Sequence, residues 1–409
     1  MASAALRQQA CPELSRRAYP ERNQDRPWLR WAAFALAAAA LSGCVPRARP
    51  VEAPPPPPEP VREAPRPVQP TRLPADETRN RVAVLVPLSG RDAALGQSIL
   101  NAANLALLDS GGQQIRITAY DTAAGAVPAA NEALAEGSGL ILGPLLAEDV
   151  RAVAPVARRA DVPVISFSND ISVAGDGVYV MGLNPGQSIQ RVVAFARTRG
   201  VNRFGALVPA NTYGERSARA MSQAVDREGG RITGIETFDA SPTGIRAAAE
   251  RLVGRGPADA ILLADVPRAI LPAMPVVRET SPPPRLLATE RWATESAIGA
   301  NAALRGAWFA APSDANYNAF RIRYRARYSA TPFRLASLGY DAVLLVVRVA
   351  ADWPVGRPFP ARALRDPGGF VGVDGAFRFG RDGIVERALE IREVGATGTT
   401  IVSPAPRGF

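Results

Sequence analysis

From residue 81 onward, short apolar runs alternate with amphipathic stretches, and this alternation restricts the chain to parallel sheets covered on both faces. Val82–Val86 has the composition of a buried strand. Gly96–Leu108 follows, with Ile99, Ala102, Ala103 and Ala106 on one helical face. Further strands are predicted at Ile115–Tyr120, Leu140–Leu142 and Pro163–Phe167. Between them lie helices over Val127–Glu136 and around Val153, Val156, Ala157 and Ala160. A second succession then begins, with a helical face of Ile189, Val192, Val193 and Ala196 and a strand at Phe204–Val208. A helix over Glu215–Glu228 stops at Gly229-Gly230. Ile232–Phe238 reads as a strand, Ile245–Val253 as a helix, and Ala260–Ala264, Arg285–Thr289 and Ala307–Ala310 as strands. These are too many strands for one compact sheet, so two α/β lobes are the economical expectation.

The segment before this region has a different character. Arg26 and Arg30 precede an apolar stretch of about a dozen residues that ends in Leu41-Ser42-Gly43-Cys44. Such a stretch is too short to span a bilayer, which takes ~20 residues, and fits the apolar region of an export signal. Leu41–Cys44 resembles the lipobox of bacterial lipoproteins. That resemblance implies a signal peptide over residues 1–43 and a diacylglycerol thioether on Cys44. Residues 44–79 follow as a tether rich in proline, including Pro54–Pro58. Proline fixes φ and lacks a donor, so an extended, polyproline-like segment is expected. At ~3.1 Å per residue, its thirty or so residues would reach on the order of 90 Å.

Composition removes several kinds of chemistry. The 409 residues contain no histidine and two cysteines, Cys11 and Cys44, of which only Cys44 would survive processing. Ser-His-Asp and Cys-His catalysis are excluded, as is a zinc site built on Cys and His. No catalytic residue, metal or cofactor is expected, and the chain is read as a non-enzyme. The net charge is +10 and its cations are all arginine, but they are scattered rather than gathered in a stripe. No nucleic-acid partner is therefore expected.

Five motifs then occur in a telling order. Val82-Ala-Val-Leu-Val-Pro-Leu-Ser-Gly90 resembles the opening strand and loop of the type I periplasmic binding proteins, which include the leucine/isoleucine/valine-binding proteins. Leu140-Ile-Leu-Gly-Pro144, Pro163-Val-Ile-Ser-Phe-Ser-Asn169, Ala210-Asn-Thr-Tyr-Gly-Glu215 and Phe370–Phe379 with Asp382-Gly383 resemble later elements of the same family. The resemblance implies two Rossmann-like lobes joined by three crossings around a cleft, over residues 80–409. Lobe one would comprise residues 80–187 and 313–355, and lobe two residues 188–312 and 356–400. Ligands of open parallel sheets bind beyond the carboxyl ends of strands. Ser89, Gly90, Gly143, Pro144, Ser166, Ser168, Asn169, Tyr213, Asp265 and Glu290 fall there and form the expected cleft set for a small polar ligand such as an amino acid. Each also has a plain structural use. Ser-Gly and Gly-Pro form turns, the serines and Asp265 can cap, and Tyr213 can pack. Leu145-Leu146 stand where amino-acid binders carry hydroxyls.

The lipobox, tether and Pro87-Leu-Ser-Gly90 are most similar to the penicillin-binding-protein activators, outer-membrane lipoproteins that stimulate peptidoglycan synthases. That resemblance implies a periplasmic, lipid-anchored regulator with a penicillin-binding protein as partner. Val45 agrees with the outer membrane, since an aspartate there would favour inner-membrane retention. The alternative is a solute receptor for an ABC importer. Cys44→Ser is expected to abolish labelling of the protein by radioactive fatty acid in cells, and label that persisted on the variant would overturn the lipobox reading.

Overall fold

A computed structural model describes residues 78–295, 298–406 and 408. The export segment, Cys44 and the tether through residue 77 lie outside the described residues. The first sheet contains β1 (Asn80–Val86), β2 (Ile115–Asp121), β3 (Ser138–Leu142), β4 (Val164–Ser166) and β5 (Val178–Val180) in the order β2-β1-β3-β4-β5, all parallel. Its helices are α1 (Ala93–Ser110), α2 (Ala126–Ala135) and α3 (Ala147–Arg159). Side chains alternate across a strand, and β1 shows it. Val82, Val84 and Val86 enter one core while Ala83 and Leu85 enter the core on the opposite face.

The second lobe begins at α4 (Pro185–Thr198) and repeats the plan with β6 (Arg203–Pro209), α5 (Thr212–Arg227), β7 (Arg231–Phe238), α6 (Pro242–Gly254) and β8 (Ala260–Leu263). Two short helices, α7 (Pro267–Ile270) and α8 (Met274–Arg278), lead to β9 (Arg285–Ala288) and β10 (Trp308–Ala311). Caps set the helix starts: Asn184, Asn211 and Ser241 accept from the backbone N–H three residues on, and Pro185 and Pro242 occupy first-turn positions where no donor is needed. The sheet order β7-β6-β8-β9-β10 reproduces that of the first lobe. The two lobes share a local device as well. Gly96 and Gly214 lie where the helix after the first strand meets the carbonyl of Pro87 and Pro209 respectively. A Cβ at either would stand 1.8 Å from that oxygen.

The chain then returns to the first lobe. The helices α9 (Asp314–Tyr328) and α10 (Ala336–Ala350) pack there, as does a small antiparallel sheet of β11 (Phe370–Gly372), β12 (Gly375–Phe379) and β13 (Val385–Arg387). Finally β14 (Glu390–Val394) and β15 (Thr399–Ser403) add an antiparallel edge to the second sheet. The sequence division placed residues 356–400 with lobe two, and the structure differs. Leu364, Phe370, Phe377 and Phe379 are buried in the first core, so residues 361–387 complete lobe one and only β14 and β15 join lobe two.

At the junction sits a buried ionic cluster. Asp341 and Asp374 are fully buried beside Arg334 and Arg387. Asp341 accepts from the N–H groups of Val373 (2.6 Å) and Asp374 (3.3 Å). Asp374 accepts from Arg334 (2.5 Å) and the Ser337 hydroxyl (2.7 Å). Arg387 donates to the Met181 carbonyl on the first crossing at 3.0 Å, and its Nη1 lies 3.8 Å from Asp341. Burial, reinforced by the Asp374 charge, pushes the Asp341 carboxyl up to about 7, against the pull of Arg387. A carboxyl raised in the fold holds its proton there at pH values where the unfolded chain has released it. Stability then falls as pH rises from about 4 to about 7. Urea unfolding at pH 5 and pH 8 should show this loss in the wild type and a smaller loss in Asp341→Asn. An equal loss in the variant would mean that Asp341 does not carry it.

Candidate functional site

The carboxyl ends of both sheets face the junction. There a cavity of about 410 Å³ opens between the lobes. Asn169, Arg334 and Leu335 line it from the first lobe, and Tyr213, Glu290, Arg291, Ala293 and Thr294 from the second. Leu183 and Pro312 line it from the crossings.

Tyr213 stands in the first turn of α5, after the cap Asn211. Its hydroxyl lies 2.9 Å from Thr289 Oγ1 and 3.1 Å from Glu290 Oε1. The other Glu290 oxygen meets the Ser188 hydroxyl at 2.5 Å. Burial raises the Glu290 carboxyl above the usual range, although the Ser188 and Tyr213 hydroxyls and Arg291 oppose the shift. Burial also raises the Tyr213 phenol, which stays protonated and a donor. Arg291 stacks over the Tyr213 ring at 4.9 Å and pairs with Asp265 at 2.9 Å. Asp265 thus acts one step behind the lining, with its backbone carbonyl held by the Trp292 indole N–H at 2.7 Å.

Across the cavity, Arg334 is fixed by Asp374, by Ser337 at 3.1 Å and by stacking on Tyr317 at 4.0 Å. Only 13% of its side chain is exposed, and its buried Nη2 has no hydrogen-bond partner among the described residues. A buried guanidinium donor without a partner is costly. The residue lines the cleft, but this nitrogen itself is closed to it in the present arrangement.

The structure brings Asn169, Tyr213 and Glu290 together in the lining, with Asp265 reached through Arg291. The other sequence candidates shape loops and do not line this cavity. Ser89 donates to Asp121 at 2.6 Å, and Gly90 takes φ +71° in that turn. The Gly143–Pro144 peptide is cis, and a Cβ on Gly143 would stand 2.1 Å from the Leu85 carbonyl. The Ser166 hydroxyl donates to the Pro144 carbonyl (3.1 Å) and accepts from the Ser168 N–H (3.0 Å), while the Ser168 hydroxyl accepts from the Asp170 N–H (3.1 Å). Sequence reasoning missed Arg291 and Arg334. Arg291 adjoins Glu290 and could have been found from that neighbour. Arg334 lies in a loop before α10, with no local signal that it turns toward the cleft.

A family model described as periplasmic binding protein matches residues 80–399. The chain belongs to the periplasmic binding proteins. A putative branched-chain amino acid ABC transporter protein from Rhodospirillum rubrum superposes with a TM-score of 0.69 at 20% identity, covering 79% of this chain and all of that one. The leucine-binding protein LivK of Thermotoga maritima gives 0.59 at 19% identity, over 80% of this chain and 98% of its own. A Rhodopseudomonas palustris solute-binding protein crystallised with benzoate gives 0.59 at 16% identity, over 81% and 97%. These likenesses concern the fold. Among curated proteins, the uncharacterized protein RP748 of Rickettsia prowazekii is 24% identical over 173 residues, which is 42% of this chain. The match spans less than half of that relative's length, 46%.

Proposed function

We propose that the protein is a non-catalytic, lipid-anchored solute receptor whose cleft takes a small organic acid with an apolar body. The observation that carries this reading is the pairing of two lining arginines, Arg334 and Arg291, with a cavity lined largely by Leu183, Leu335, Pro312, Ala293 and the Tyr213 ring. Arg334 and Arg291 offer a carboxylate two guanidinium groups. Apolar walls reward a carbon skeleton at roughly 25 cal/mol per Å² buried. The Tyr213–Glu290 pair stands ready for a polar group on the ligand. If Glu290 keeps its proton, a hydroxyl suits that end better than an ammonium group. The structural neighbours include a leucine-binding protein and a solute-binding protein crystallised with benzoate, which supports a small solute as ligand.

Activation of a penicillin-binding protein from the outer membrane is the second reading, and the lipobox and long tether in the sequence favour it. A tether on the order of 90 Å suits a partner across the periplasm better than an importer next to the anchor. Thermal melting with benzoate, 4-hydroxybenzoate and leucine separates the readings. The benzoates should raise the melting temperature more than leucine does, and Arg291→Gln should weaken their binding by about one to two orders of magnitude, the loss of one charged hydrogen bond. A response to leucine alone would assign an amino-acid cleft with an ionised Glu290. No response to any small acid, together with stimulation of a purified peptidoglycan synthase, would replace the receptor by the regulator.

A further inference from the structure

A second recess lies beside the cleft, between α3 and the loop after β4 on one lobe and α4 and α5 on the other. Its volume is about 550 Å³, and Asn169 alone is common to its lining and that of the cleft. Thr212, Arg216, Arg219, Ala220 and Gln223 form one face of α5 along it. Gly186 keeps the floor low, since a Cβ there would stand 2.9 Å from Asn184 Oδ1 and 3.9 Å from the Ala220 methyl. Arg151 enters from the first lobe.

The charges in this recess do not balance. Asp170 is its one carboxylate and is buried, and both its oxygens are engaged. One accepts from Arg151 and Arg216, each at 2.6 Å. The other accepts from the Ser172 N–H (3.0 Å) and hydroxyl (2.7 Å). Burial opposes ionisation of Asp170, yet these hydrogen bonds and the Arg216 charge hold its carboxyl below the usual range, so it counts as one full negative charge. Three guanidinium groups face that single charge. Each of the two paired arginines uses one terminal nitrogen on Asp170 and has further N–H donors in its fork. The neutral lining residues Thr212, Asn184 and Gln223 add donors, and among the described residues no second acid lines the recess. Asp382 and Glu386 line the adjoining recess past Gly186, where Glu386 pairs with Arg378 at 2.7 Å.

We propose that this recess is an anion site, separate from the cleft, for a compact oxyanion carrying two or more negative charges, a polycarboxylate or a phosphate compound. Arginine suits both chemistries because its planar fork matches their oxygen pairs. The ligand would touch Arg151 on one lobe and Arg216 and Arg219 on the other. It would therefore bind the present lobe arrangement better than a more open one and shift the population toward it. Occupancy of the recess and of the cleft would then be reciprocally coupled. This inference does not depend on which solute the cleft takes.

The test is calorimetric titration of the full chain in detergent at low ionic strength with citrate and, separately, pyrophosphate. Saturable binding of one equivalent of either probe is expected. The probe that binds identifies the source chemistry. Arg216→Gln with Arg219→Gln should weaken it about tenfold or more, whereas Tyr213→Phe, which alters only the cleft, should leave it unchanged. Circular dichroism checks that each variant is folded. Asp170→Asn supplies an opposite sign: with its competing charge removed and the fold intact, the anion should bind more tightly. Equal weakening in Tyr213→Phe would put the anion in the cleft and overturn the separate site. Unsaturable heat, or affinity unchanged in the double arginine variant, would reduce the recess to ordinary surface charge and overturn it as well.

Discussion

Two acids and two arginines buried at the junction fix how the chain leaves the first lobe and comes back. Arg387 reaches the carbonyl of Met181 on the outgoing crossing, while Asp341 on α10 holds the backbone of Val373 and Asp374 before the returning one. Gly372 is required beside this contact, because a Cβ there would stand within 2.4 Å of the Asp341 carboxyl. Asp374 in turn orients Arg334, the cation that faces the cleft. Buried ion pairs contribute little net stability against an apolar replacement, yet breaking one partner leaves an uncompensated charge. The cluster therefore acts mainly as a positioning device. It ties the returning chain to the outgoing crossing and holds Arg334 in the wall of the space where the two sheets end.

The lobes around that junction were legible in the sequence because their periodicity is strong. Apolar runs such as Val82–Val86 and Leu140–Leu142 can be buried on both faces only in a covered parallel sheet, and the structure places them so. The return segment was harder to assign. Phe370–Phe379 reads as a hairpin from its own residues, but which core it joins depends on contacts with α10 and with Tyr179 more than a hundred residues away. No local pattern carries that information, and the lobe boundary drawn from the sequence failed at this point. β14 and β15 behave similarly: they complete a sheet whose other strands end some eighty residues earlier.

The candidate site divides along the same line. Residues at strand ends were found by the rule that ligands sit beyond carboxyl termini, and Asn169, Tyr213 and Glu290 do meet there. The rule says where a loop lies and nothing about which way its polar atoms face. Ser166 and Ser168 sit in the right loop, yet their hydroxyls hold the Pro144 carbonyl and the Asp170 N–H. Leu145 and Leu146, the apolar pair after Gly143-Pro144, accompany this inward turn, so the first lobe presents little hydroxyl chemistry to the cleft. Cations on the facing loops fill that role: Arg291 follows the end of β9, and Arg334 comes from the return segment.

This redistribution changes what the cleft can discriminate. A loop of hydroxyls and backbone N–H groups grips a carboxylate at short range and in a fixed geometry. Two guanidinium groups on opposite sides accept oxygens over a wider range of positions, and they act on charge before contact. Leu183, Leu335 and Pro312 give the cavity apolar walls, and burial raises the Glu290 carboxyl on the side that Arg291 shares. Glu290 is held by Ser188 and Tyr213, both on the second lobe, whereas Arg334 belongs to the first. Polar groups of both lobes therefore meet at the cavity, and any molecule touching both favours the arrangement in which both are within reach. Both groups are fixed from behind, Arg334 by Asp374 and Glu290 by Ser188 and Tyr213, so the cavity holds positioned polar groups from both lobes.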